Sequence, residues 1–369
     1  MGVRKNTFFR IIYTTALFLV ITLILSSCLP KKEVSLGAII SLTGFGSTMK
    51  DVKRGMETAV QEINTTGGLN GQKIALHIED SRSNTEIAVE KFNELYKKHS
   101  PLITLSTLSS TTKAISPYAE EKKTPLIGLV ATDPSITKNK KWTYVFYPSA
   151  QHETGPIFSI VKQKKIKSLG IIYFNDAYGN SVVADMERRV EDTEIQLKSY
   201  AYTEKESQFN SIISKSMQHD ALYLVGFSNH ILNMYQELNS RAYDGVLLST
   251  STVTVPSFRK GNNIDGLYAA APLIYNQSYV FAQKVAARYE KRYKKELSHY
   301  AATGYDIIKI IAGLLEGEDI TRDSVMDMLD KGFIYPGLFG EITLPEKSHN
   351  IFFPLHPVKI EEGNITYIQ

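Results

Sequence analysis

The most restrictive feature of this 369-residue sequence is the alternation, from Val34 onward, of short β-rich runs with longer amphipathic runs. Strands are predicted over Val34 to Ser41, Lys73 to Asp80, Leu102 to Ser106 and Pro125 to Leu129. The stretches between them have helical periodicity: Lys50 to Asn64, with Met56, Ala59, Val60 and Ile63 on one face, then Thr85 to His99 and Thr111 to Lys122. The pattern restarts after Pro148 with a helix near Glu153 to Gln163. Strands follow at Ser168 to Tyr173, Gln196 to Tyr200, Ala221 to Val225 and Gly245 to Thr250, interleaved with helices at Gly179 to Val190, Gln208 to Gln218 and Asn229 to Arg241. Repeated strand–helix–strand units imply parallel sheets wrapped by helices through right-handed crossovers. Two such runs imply an α/β chain of two doubly wound, three-layer lobes. After Pro272 the sequence turns to longer helices, Tyr279 to Glu296, Tyr300 to Leu315 and Thr321 to Asp330. Strand-like segments at Gly340 to Leu344 and Pro357 to Ile360 close the chain.

The N-terminus bears on the compartment. Arg4, Lys5 and Arg10 precede an uncharged apolar run from Ile11 to Leu25, shorter than the ~20 residues a membrane-spanning helix needs. It ends in Leu25-Ser26-Ser27-Cys28, so residues 1–27 read as a secretory signal. The ending resembles a bacterial lipobox, which implies cleavage before Cys28 and lipid attachment to its sulfur. Residues 28–33 would then tether the body outside the cytoplasm. Cys28 is the single cysteine, so no intramolecular disulfide can form. Removing 27 residues leaves 342, enough for about two domains. The 42 Lys and Arg, less the three of the signal, leave 39 against 38 acids. That near-neutral body argues against a nucleic acid as partner.

Catalytic and metal signatures are missing: there is no Gly-x-Ser-x-Gly elbow, no P-loop, no His-Glu-x-x-His and no cysteine pair. Gly44-Phe45-Gly46 follows the first strand, but Met49 stands where the third glycine of a dinucleotide fingerprint belongs. Neither an enzyme nor a cofactor is expected. Ligands of open α/β sheets sit beyond the carboxyl ends of strands. There Ser106-Thr107-Leu108-Ser109-Ser110-Thr111-Thr112 opens a helix, and a Ser/Thr-rich helix start offers hydroxyls and unpaired N–H groups to an anion. The next strand ends in a second polar turn, Val130-Ala131-Thr132-Asp133-Pro134, in which Asp133 reads as a turn cap.

Several ordered stretches together resemble the leucine/isoleucine/valine-binding proteins, which have the type 1 periplasmic binding fold. They are Leu36 to Gly44, Lys53-Arg54-Gly55, Ala59 to Asn64, Gly67 to Gly71, Ser109 to Thr112, Ala131 to Pro134 and Asp176-Ala177-Tyr178-Gly179. The resemblance implies that Ser109, with the amides around Ser110, holds a ligand carboxylate. It also implies that the Val130 carbonyl faces an ammonium, that Thr132, next to Ala131, offers its hydroxyl and amide, and that Tyr178 and Phe227 form the opposing wall. Met49 or Lys50 falls where an aromatic usually flanks the pocket. At Ser251 the family often carries an acid, whereas Ser249-Thr250-Ser251-Thr252 offers only hydroxyls, so weak selection for an α-amino group is expected.

The lobes are expected at 34–148 with 273–336 and at 149–272 with 337–369, joined by a hinge of three crossings near Pro148, Pro272 and Pro336. The implied function is that of an extracytoplasmic, lipid-anchored solute-binding protein. It would bind an amino acid or related small carboxylate and deliver it to the permease and ATPase subunits of an ABC importer. The alternative is a regulatory or sensory lipoprotein that uses the same fold as a protein-interaction module.

Overall fold

The computed structural model describes residues 33–203, 209–273 and 280–368; the signal segment and Cys28 lie outside them. The first lobe runs β1 (Val34–Ile40), α1 (Lys50–Thr65), β2 (Ile74–Asp80), α2 (Thr85–His99), β3 (Ile103–Thr107), α3 (Ser109–Glu121), β4 (Leu126–Leu129) and β5 (Thr143–Phe146). Its parallel sheet has the order β2-β1-β3-β4-β5. The second lobe runs α4 (Ala150–Gln163), β6 (Ser168–Phe174), α5 (Ala177–Val190), β7 (Gln196–Tyr202), α6 (Phe209–Ser216), β8 (Ala221–Val225), α7 (Ser228–Ser240), β9 (Val246–Ser249) and β10 (Tyr268–Pro272). Here the parallel order is β7-β6-β8-β9-β10. Strands such as β4 and β8 are buried along their whole length, as parallel strands covered by helices on both faces must be.

In both sheets the strand order reverses next to the first strand of the lobe, between β1 and β3 and between β6 and β8. Crossovers leave these points on opposite faces, which opens a crevice at the carboxyl ends of the strands. The two lobes turn these ends toward each other, so two crevices become one cleft.

The sequence reading misses the last strand of each lobe's first run, β5 and β10. The four-residue β5 lies directly before the first crossing, and β10 is Tyr-Ala-Ala-Ala-Pro, whose alanines carry little strand preference.

The chain returns to the first lobe with α8 (Val280–Tyr293), α9 (His299–Leu314) and α10 (Arg322–Lys331), followed by a hairpin of β11 (Phe333–Gly337) and β12 (Gly340–Leu344). The expected third crossing near Pro336 is corrected by what comes next. Strand β13 (Asn350–Ile351) adds to the edge of the first sheet, pairing Asn350 with Val145 and Ile351 with Phe146. Residues 337–351 therefore stay with the first lobe. The crossing falls between Ile351 and β14 (Leu355–Glu361), which pairs antiparallel with β10, and β15 (Asn364–Tyr367) completes that edge. Leu338 holds the hairpin in place by donating its N–H to Asp306 on α9 at 2.8 Å, and Phe339 stacks on Phe353 with centroids 3.8 Å apart. Pro336 sits inside the hairpin, where one strand edge needs no donor.

Helix α9 lies directly on α1. A methyl group at Gly55 would overlap the Ala301 carbonyl oxygen, and one at Gly304 the Val52 carbonyl oxygen, so the two backbones touch at these glycines. This contact brings Met49, just before α1, and Tyr300, in the first turn of α9, to the same end of the lobe. Gly304→Ala is expected to force the helices apart and destabilise the protein by about 1–3 kcal/mol, the usual cost of overpacking. Urea unfolding of the purified variant checks this.

A candidate ligand cleft between the lobes

A narrow cleft lies between the lobes, with about 30 Å³ of free space in its interior. From the first lobe it is lined by Thr48 and Met49 after β1, Leu108 and Ser109 after β3, Val130 and Thr132 after β4, Tyr147 after β5, and Tyr300. The second lobe contributes Glu153 from α4, Asp176 and Tyr178 after β6, Phe227 after β8, and Ser251 and Thr252 after β9. The lobes also meet beside the cavity. The Phe45 ring packs against Phe174 and Phe227 across the cleft, with centroids 5.3 and 4.4 Å apart. At the cavity wall Tyr147 bonds Ser251 (3.1 Å) and Tyr300 bonds Thr252 (3.2 Å) through their hydroxyls.

The first-lobe wall is a set of donors. Helix α3 has no side-chain cap and no acid in its first turn, so the N–H groups at Ser109 and Ser110 lack intrahelical acceptors. The Ser109 hydroxyl oxygen accepts from the Thr132 N–H at 3.0 Å and the Asp133 N–H at 3.3 Å, which leaves its own proton to donate. Thr132 Oγ1 is buried and has no partner. Leu108 (φ 70°) and Val130 (φ 53°) both hold left-handed backbone. For branched side chains this is strained, by about 1–3 kcal/mol each. The strain falls at the two strand ends that frame the donors.

The second-lobe wall is acidic. Glu153 is 1 % exposed. One of its carboxylate oxygens accepts from the Ser251 N–H and hydroxyl, both at 2.8 Å, and the other from the Tyr178 hydroxyl at 3.0 Å. Among the described residues, no Lys, Arg or His lines the cavity. Burial raises the Glu153 pKa, against which the bonds from Ser251 and Tyr178 work. Asp176 caps α5 by accepting the Gly179 N–H at 2.9 Å. Burial, with Asp133 as a further like charge, pushes it up to about 6. Asp133 itself caps a turn through Ser135 and pairs with Lys113 at 3.2 Å.

The structure thus brings Ser109, Val130, Thr132, Tyr178, Phe227 and Ser251 together around one cavity. Ala131 is not among its lining residues and packs with Ile136 and Val145 in a small core. Ser110 reaches the site only through its position in the first turn of α3. Met49 lines the cavity where Lys50 does not. Ser251 itself offers only a hydroxyl and an amide, but a buried acid from α4 stands beside it: Glu153 accepts from both of these Ser251 groups. Glu153 was read only as part of a helix. The signal available in the sequence is an acid five residues past the predicted end of the first lobe's opening segment.

For a group whose folded pKa is raised, the stabilising contribution is complete below the unfolded value, about 4.3 for Glu. It is lost as pH rises through the folded value. Ligand-free Glu153→Gln should therefore gain stability relative to the parent as pH rises from 4 toward neutrality. Urea midpoints across that range check the sign.

A family model described as periplasmic binding protein matches residues 33–364. The leucine-, isoleucine-, valine-, threonine- and alanine-binding protein of Pseudomonas aeruginosa is 25% identical over 179 residues, 47% of this chain and 48% of that one. The Leu/Ile/Val-binding protein of Citrobacter freundii is 21% identical over 265 residues, 70% and 72% of the two chains. The match to the first of these relatives spans about half of its length. Among solved structures, the branched-chain amino acid transporter substrate-binding protein LivJ of Streptococcus pneumoniae, in complex with isoleucine, superposes with a TM-score of 0.80. Identity is 19%, covering 90% of this chain and 98% of that one. A solute-binding protein of an ABC transporter from Rhodopseudomonas palustris, in complex with 3,4-dihydroxybenzoic acid, gives 0.78 at 16% identity, covering 91% and 96%. These likenesses establish the shared fold.

Proposed function

The chain belongs to the periplasmic binding protein family, and on that premise we propose that it is the solute-binding subunit of an ABC importer for an α-amino acid. The observation that carries this reading is the buried Glu153 carboxylate, which has hydrogen bonds but, among the described residues, no cation, and which lies across the cavity from the donors of α3. A charge removed from water is costly unless an opposite charge meets it. A ligand ammonium at Glu153 meets that need. A ligand carboxylate at the opposite wall gains the Ser109 proton, the free amides and the helix dipole. Thr132 and the Val130 carbonyl lie between these poles. Small carboxylates without an amine, as bound by some relatives, satisfy only one of the two walls.

Closure follows from the same arrangement. The donors belong to the first lobe and Glu153 to the second, so a zwitterion makes its full set of contacts only when the lobes are together, and it shifts the population toward that form. The polar groups that both lobes direct at one cleft favour this reading over the alternative, a fold kept as a protein-interaction module. Ser109→Ala should weaken binding by about 1–3 kcal/mol through loss of a charge-assisted hydrogen bond. A thermal-shift screen of amino acids, followed by calorimetry on the best ligand, measures it. An unchanged affinity would remove Ser109 from the site.

The lipid anchor belongs to the same proposal. Cys28 follows a short apolar segment, and β1 begins within six residues of it. A lipid on Cys28 would hold the cleft near the membrane that carries the permease. Cys28→Ala should abolish labelling by a fatty-acid probe in cells. Labelling that persists in the variant would rule out this attachment site.

A further inference from the structure

The cavity wall contains one more carboxylate than a zwitterion can satisfy. An α-ammonium at Glu153 and an α-carboxylate at the start of α3 leave Asp176 facing the same space, with no Lys, Arg or His among the described residues that line it. Asp133, the next acid, is already paired with Lys113. One Asp176 oxygen is engaged as the cap of α5, accepting from Gly179. A cap needs only one acceptor atom, and Asn, Ser or Thr serve as well. A carboxylate that also lines a partly desolvated cavity carries an electrostatic cost that capping alone does not require. The space is built for a ligand on independent grounds, because Thr132, only 4 % exposed, lines the cavity and its buried Oγ1 has no partner among the described residues.

We propose that Asp176 forms a second cation subsite and that the preferred ligand is an α-amino acid whose side chain ends in a positive charge. The proposal rests on the amino-acid reading of the cleft and deepens it. In this arrangement the α-carboxylate meets Ser109 and the α3 amides, the α-ammonium meets Glu153, and the side-chain cation reaches Asp176 past the apolar surfaces of Leu108, Met49 and Phe227. The ligand's net charge of +1 then offsets the excess negative charge of the wall.

The test is calorimetry on the full processed chain with L-lysine, L-ornithine and L-norleucine, the last being a neutral counterpart of lysine's side chain. Lysine or ornithine should bind at least about tenfold more tightly than norleucine, one decade in Kd. Asp176→Asn keeps a capping oxygen, and it should remove that preference by weakening lysine and ornithine more than norleucine. Norleucine binding as well as or better than both diamino acids would overturn the proposal. So would an Asp176→Asn variant that weakens all three alike, because Asp176 would then act only through the helix it caps. If none of the three binds, the amino-acid reading of the cleft falls, and this subsite falls with it.

Discussion

Two opposite electrostatic demands face each other across the cleft, and neither lobe can meet them alone. The first lobe ends strands β3 and β4 in amides and hydroxyls that lack acceptors, gathered at the positive end of α3. The second lobe presents Glu153, a buried carboxylate steadied by Ser251 and Tyr178 but without a counter-charge among the described residues. A parallel sheet creates this situation by construction, because its helices begin where its strands end. Two sheets set edge to edge place one such rim opposite another, and the difference in side chains decides the sign of each.

The scaffold bears identifiable costs to hold these rims. Leu108 and Val130 adopt left-handed backbone beside the donors, a conformation kept only when its surroundings over-determine it. Those surroundings are the packed strand ends and the bonds from Thr132 and Asp133 to Ser109. The glycine contact between α1 and α9 places Tyr300 at the cavity wall, and its hydroxyl reaches Thr252 of the other lobe. The Phe45 ring, wedged against Phe174 and Phe227, seals the side of the cavity with apolar surface.

Much of this was legible in the sequence, for physical reasons that also mark where legibility ends. The alternation of strand and helix carries the two-lobe architecture because parallel strands and their covering helices have different periods. Ser109 and Thr132 could be singled out because hydroxyls at strand ends stand in local sequence motifs. Glu153 could not, since its meaning depends on Ser251, 98 residues away, and on Tyr178. Hydroxyls alone at Ser251 suggest an incomplete amine half, whereas a buried acid on another element, Glu153, stands hydrogen-bonded to Ser251. The last crossing was misplaced for a similar reason. The two-residue strand Asn350–Ile351 has no periodicity of its own and is fixed by pairing with β5. Phe45 likewise looked like part of a glycine-rich turn, and only the approach of the second lobe gives it a partner.

The central claim is one of orientation: the ligand spans the cleft with its carboxylate on the first lobe and its ammonium on the second. A crystal structure of the protein with its tightest amino-acid ligand tests this most directly. The account predicts the ligand ammonium within hydrogen-bond distance of the Glu153 carboxylate and the ligand carboxylate at Ser109 and the first amides of α3. A ligand bound the other way round, or one whose ammonium leaves Glu153 unpaired, would contradict it.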